Sequence, residues 1–114
     1  MLGHVLVAPV LHREQVVGDF TVEEYVAVQR IVHASGQALA ELVATERLYV
    51  LSLGSQQGNR HVHWHLAPLP PGVPYEQQQI SALSVERGYA VVEPGTMAEL
   101  AAGLGTRLQA VLSA

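Results

Sequence analysis

Cysteine and lysine are both missing from this chain of 114 residues. Without cysteine there are no disulfides, thiolate metal sites or thiol nucleophiles. Without lysine, all six basic residues are arginine, set against ten acidic ones for a net charge of −4. A protein that coats nucleic acid nonspecifically needs a basic face, and this chain lacks the charge for one. Selective nucleotide binding is not excluded, because a pocket can work with backbone amides and a few side chains. Charge of either sign is scarce, at 14% of residues, where about 25% is usual. No apolar run approaches the ~20 residues of a membrane span. The start, MLGHVLVAPVLHRE, lacks the basic beginning and small-residue cleavage site of a signal peptide. The expectation is a soluble, cytoplasmic protein with no membrane partner. P-loop, GxGxxG and Ser-His-Asp arrangements are absent too.

What is present is hydrophobic: 49% of residues, too many for a solvated disordered chain. The length allows one domain, 1–114, with one core. The apolar surplus must be covered by a subunit interface or by a further segment.

Residues 4–9 (HVLVAP) read as a strand that Pro9 ends, since proline cannot donate to a ladder. Residues 10–20 read as a connector with a turn at Gly18-Asp19. Thr21 and Glu24 have capping-box spacing. Tyr25, Val28, Val32, Leu39, Leu42 and Val43 then recur at helical steps through about Thr45, the stripe of a long helix laid on a sheet. Gly36 weakens its middle by ~1 kcal/mol relative to alanine and marks close packing. Residues 48–53 (LYVLSL) and 61–67 (HVHWHLA) read as hairpinned strands across the polar loop 54–60. Pro68, Pro70, Pro71 and Pro74 are expected to stop pairing. Residues 76–87 read as a short helix and 89–92 as a short strand. Thr96 and Glu99 repeat the capping-box spacing ahead of a closing helix through Leu112, made marginal by Gly103 and Gly105. The fold class is α+β: an antiparallel sheet with a long helix on one face, a core within 1–70 and a C-terminal helical tail over 71–114.

Three of the six histidines fall within five residues. His61, His63 and His65 alternate with Val62, Trp64 and Leu66, so a strand places the imidazoles on one face and the apolar set on the other. Idle surface histidines are one reading. A His-x-His metal site is another, although the outer Cα atoms of the three lie ~13 Å apart on a strand, too far for one tetrahedral ion to collect comfortably. The third is nucleophilic imidazole. A neutral ring nitrogen can attack phosphorus at neutral pH if its other nitrogen is held as N–H and donors surround the phosphate.

HVHWHLAP resembles the His-x-His-x-His signature of the histidine-triad (HIT) nucleotide hydrolases and transferases. The resemblance extends to Gly3-His4-Val5-Leu6-Val7-Ala8-Pro9 with His12 three residues on, and to Gln57 four residues before His61. It spans roughly residues 3–70, with the stretches around SLGSQQGN and HWHLAPLPPGVPYEQQQ similar to a bacterial subgroup with a longer C-terminal tail. The resemblance implies hydrolysis of nucleoside phosphoramidates or dinucleoside polyphosphates, by a homodimer that requires no cofactor. It implies that His63 attacks the α-phosphate, forming a nucleotidyl-histidine that water opens. His65 would bind the phosphate oxygens. His61 would fix the nucleophile's tautomer through its backbone carbonyl, its ring paired with His12. Gln57, with Ser55, Gly58, Asn59 and the loop amides, would contact the substrate.

The chain also departs from that pattern. Gly58 stands where the family has a hydroxyl residue, a role left to Ser55 or Ser52, and Leu69 where arginine is frequent. The family usually carries further strands and a helix before the GH-containing strand, so the expectation here is a shortened chain with part of the base pocket lost and a sheet edge uncovered. A catalytically weak nucleotide-binding or sensor module is the alternative that follows. His4 reads as structural at the strand start, His33 as surface or interface, and Trp64 as core. Arg60 reads as an exposed hairpin-end residue. Tyr75 and residues 77–79 read as a cover for the active face or for a partner's.

Overall fold

A computed structural model describes residues 2–54, 60–83 and 93–113. Its order is β1 (Val5–Val7), α1 (Val22–Leu42), β2 (Arg47–Leu51), β3 (Trp64–Leu69), a 3-10 turn (Tyr75–Gln77), α2 (Ile80–Leu83) and α3 (Pro94–Leu112). The three strands form one antiparallel sheet in the order β1-β3-β2. Val5 stands opposite Leu66 and Leu6 opposite His65, while on the other side Leu51 meets His65 and Arg47 meets Leu69.

The capping box starts α1 as expected. The Thr21 hydroxyl accepts from the Glu24 N–H at 3.1 Å, and the Glu24 carboxylate accepts from the Thr21 N–H at 2.9 Å. The inward stripe of α1 includes Val32, Ser35, Gly36 and Leu39, all buried. Val32 and Leu39 join Val62, Trp64 and Leu66 in the core, with Val5, Val7, Val16, Phe20, Tyr25, Val28 and Leu104 packed against it. Gly36 is where helix and sheet come closest: a Cβ there would sit 2.8 Å from Leu48 Cδ2. Ahead of the helix, the Asp19 carboxylate closes the expected turn by accepting from the N–H groups of Gln15 and Glu14, which hold its pKa low.

Several expectations need correction: β1 covers Val5–Val7 and not 4–9, and β2 covers Arg47–Leu51 and not 48–53. The central strand runs Trp64–Leu69, not 61–67. It starts late because β1 offers partners only from Val7 onward. Before that point the backbone bonds to a loop instead, Val62 N–H donating to the Arg13 carbonyl at 2.7 Å. The strand continues through Pro68 because β1 pairing ends at Leu66, so no ladder bond to β1 is asked of position 68, where Gly3 packs against the buried proline ring.

The helix expected over 76–87 is broken. Gln79 has a φ of 57°, its N–H donates to the Tyr49 hydroxyl at 2.8 Å, and α2 begins only after it. The strand expected over 89–92 and the rest of that helix lie outside the described residues. The closing helix starts at Pro94, two residues before Thr96, because proline fits the first helical position with its φ already set. Gly103 does not interrupt it; there α3 approaches α1, and a Cβ would sit 2.9 Å from Leu42 Cδ2. Arg107 pairs with Glu41 across the same contact at 2.9 Å. Among the described residues, no helix is long and apolar enough to cross a membrane.

Candidate active site

The alternation read in the sequence is realised. Val62, Trp64 and Leu66 are 1%, 4% and 0% exposed, whereas His61, His63 and His65 are each half-buried on the opposite face. Trp64 lies in the core, with the rings of Phe20 and Tyr25 edge-on to it. That anchored strand sets the direction of the three imidazoles.

His63 has its Nδ1 2.8 Å from the His61 carbonyl oxygen. A carbonyl can only accept, so Nδ1 carries the proton and the lone pair of the neutral ring is on Nε2. The His63 carbonyl in turn accepts from the Ser52 hydroxyl at 2.7 Å. Ser52 thus ties the end of β2 to the backbone of the central histidine.

His61 is gripped by the connector after β1. Its Nε2 lies 2.6 Å from the Pro9 carbonyl oxygen, and its Nδ1 accepts from the Arg13 N–H at 3.2 Å. Both contacts suit the Nε2–H tautomer. His12 stacks on the His61 ring, with centroids 5.3 Å apart and planes 20° from parallel, and its Nε2 lies 3.4 Å from the Glu14 carboxylate.

His65 is not alone on its part of the face. Its Nδ1 lies 2.9 Å from Nε2 of His4, and its ring is T-shaped to that of His63 at 4.8 Å. Partial loss of water lowers the pKa of both His4 and His65. For His65 the neighbouring His4 and His63 add to the effect. Two ring nitrogens this close require one of them to carry a proton and the other to accept it.

The structure therefore brings together His4, His12, His61, His63 and His65. The proposed substrate contacts Ser55, Gln57, Gly58 and Asn59 lie outside the described residues. His4 and Arg13 were not among the expected site residues. His4 has the same parity as Leu6, which stands opposite His65, but that face can be read only once the strand register is known. Arg13 acts through its backbone and has no signature in sequence. His33 and Arg60 are exposed, as expected. Among the described residues, no group of three or more His, Asp, Glu or Cys is arranged to hold a metal ion.

Comparison with solved structures gives a likeness to a crystal structure of a Hit-like protein involved in cell-cycle regulation from Bartonella henselae, with unknown ligand. The TM-score is 0.66 at 18% identity, over 92% of this chain and 70% of that one. A likeness at that identity is one of fold: the chain has a HIT-like α+β fold. No family model matches the sequence, and no curated protein does.

Proposed function

We propose that this chain hydrolyses or transfers nucleotides through a nucleotidyl-histidine intermediate on His63. The carrying observation is the 2.8 Å contact from His63 Nδ1 to the His61 carbonyl, which leaves Nε2 as the nucleophile. The HIT-like fold agrees with a nucleotide-related activity. In the first step the Nε2 lone pair forms a bond to the α-phosphorus while the bond to the leaving amine or phosphate breaks, a leaving amine taking up a proton from solvent. In the second, water attacks the same phosphorus and releases a proton to solvent, the P–N bond breaks with its electron pair returning to Nε2, and nucleoside monophosphate departs. Transfer differs only in the acceptor.

Charge on the phosphoryl oxygens calls for donors at the site. His65 serves if its Nε2 carries a proton, and for a neutral ring that requires its Nδ1 to accept. The proposal therefore assigns His4 the Nε2–H tautomer, donating to His65 Nδ1 across the 2.9 Å contact. Gln57, Ser55, Gly58 and Asn59 remain the proposed loop contacts to substrate, and no cofactor is required. A cytoplasmic setting and a homodimer belong to the same proposal. Among the described residues β2 is a sheet edge, beside a groove of about 450 Å³ lined by Gln29, His33, Gln37, Leu48 and Val50 among others. Gln29 Nε2 is buried there with no hydrogen-bond partner among the described residues.

The test is AMP release from adenosine phosphoramidate and diadenosine tetraphosphate by the parent chain and by His63→Ala. Release by the parent alone supports the proposal, and equal release by both overturns it. Micromolar AMP binding without turnover would replace it with a nucleotide-binding or sensor module.

A further inference from the structure

We infer that Arg13 and Glu24 are positioning residues for the nucleophile, coupling the first turn of α1 to the tautomer and placement of His63. The connector from Pro9 to Arg13 holds His61 on both ring nitrogens and holds the next residue by its N–H. The Pro9 carbonyl takes Nε2–H, Arg13 N–H donates to Nδ1, and the Arg13 carbonyl accepts from Val62. All three contacts use main-chain atoms of the connector. A connector can hold a ring in this way only if it is itself held.

Asp19 holds the residues just after the connector, and the Arg13 side chain anchors the connector itself. Its Nη2 donates to Glu24 Oε2 at 2.6 Å, and its guanidinium carbon lies 5.8 Å from the Phe20 ring centroid. Phe20 is in turn edge-on to the buried Trp64, with centroids 5.9 Å apart. Glu24 is fixed from its other oxygen, Oε1, by the Thr21 N–H at 2.9 Å. An isolated exposed ion pair contributes little. Here the pair is partly screened from water, short, backed by an aromatic face and locked at both ends, so it fixes geometry.

The consequence reaches the chemistry through one residue. The ring that the connector grips and the carbonyl that sets the His63 tautomer both belong to His61. Releasing Arg13 weakens the grip on the His61 ring, lets the carbonyl shift, and loosens the hold on His63 Nδ1–H.

The kinetic arm rests on the nucleotidyl-histidine proposal; the spectroscopic arm does not. The chain is labelled with ¹⁵N-histidine and the imidazole nitrogens are read by long-range proton–nitrogen correlation in the parent, Arg13→Ala, Arg13→Lys, Glu24→Gln and Arg107→Ala. The parent should show His61 as Nε2–H and His63 as Nδ1–H. In Arg13→Ala and Glu24→Gln the His61 nitrogens should move toward a tautomer mixture, and kcat should fall by about tenfold or more with KM within about twofold, since small misplacements are costly in rate. Arg13→Lys keeps a cation for Glu24 and should restore most of the parent pattern. Arg107→Ala removes a different arginine–carboxylate pair and should leave the nitrogens and kcat unchanged.

Should Arg13→Ala fail to fold, Glu24→Gln decides, because glutamine at that position still completes the capping box. Parent-like nitrogens in Glu24→Gln, or in a folded Arg13→Ala, would overturn the inference. An inactive parent whose nitrogens still respond to these variants would overturn the nucleotide reading and uphold this one.

Discussion

The carbonyl oxygen of His61 lies 2.8 Å from Nδ1 of His63, and this contact decides which nitrogen of the central histidine can act. A second nitrogen–oxygen contact, from His61 Nε2 to the Pro9 carbonyl, orients the residue that supplies that carbonyl. Neither uses a charged group. In both, a main-chain carbonyl fixes which ring nitrogen carries the proton and so which one keeps its lone pair.

The His4–His65 pair should behave as a unit. His4→Ala removes the donor that keeps His65 Nδ1 accepting, so kcat should fall by ~10²-fold, comparable to the loss of a phosphate donor itself. Adding His4→Ala to His65→Ala should cost little more than His65→Ala alone. Steady-state kinetics of the two single variants and the double variant check this, and full additivity would separate the residues.

Stability should decline on mild acidification. Folding lowers the pKa of His4 and His65 through partial burial, so below about 6.5 the unfolded chain binds more protons at these rings than the folded one. Their contribution is full above that pH and is lost as pH falls through the lowered folded values. The Asp19 and Glu24 carboxylates are shifted downward as well, and stay ionised throughout this window. Urea midpoints at pH 7.5 and 5.5 should differ clearly in the parent and by less in a His4→Gln/His65→Gln variant.

At Gly36 two effects oppose each other. Alanine recovers ~1 kcal/mol of helix propensity, but its Cβ would lie 2.8 Å from a Leu48 methyl. A leucine methyl can shift, so Gly36→Ala should change stability by less than ~1 kcal/mol. Valine cannot be absorbed that way, and Gly36→Val should lose about 2 kcal/mol. Chemical denaturation of both variants checks the contrast.

The β2 edge should carry self-association. Val50 is 48% exposed on that edge, and Val50→Lys places a charge where a second copy would pair. Sedimentation should show a dimer for the parent and a monomer for the variant; a monomeric parent would remove the dimer from the proposal.

Much of this was legible in the sequence where a side-chain pattern maps directly onto structure. The alternation at 61–66 gave the buried and histidine-bearing faces, Thr21 with Glu24 marked the start of α1, and Gly36 marked a close approach. What was not legible depends on pairings between distant segments. The central strand reaches Leu69 through Pro68 because of where β1 stops, which residues 61–70 do not encode by themselves. The place of His4 beside His65 follows from strand register across a sequence separation of 61. Arg13 N–H and the Pro9 carbonyl are backbone atoms, invisible to any reading of side-chain type. The break at Gln79 similarly depends on a hydroxyl from β2.

The claim that His63 is the nucleophile is tested most directly by trapping its adduct. The chain is mixed with adenosine phosphoramidate, quenched within the first turnovers, digested and read by mass spectrometry. A mass increment of one AMP on the peptide bearing His63, absent from His63→Ala, is the predicted result. AMP release without any such adduct, or an adduct on the His63→Ala chain, would contradict it.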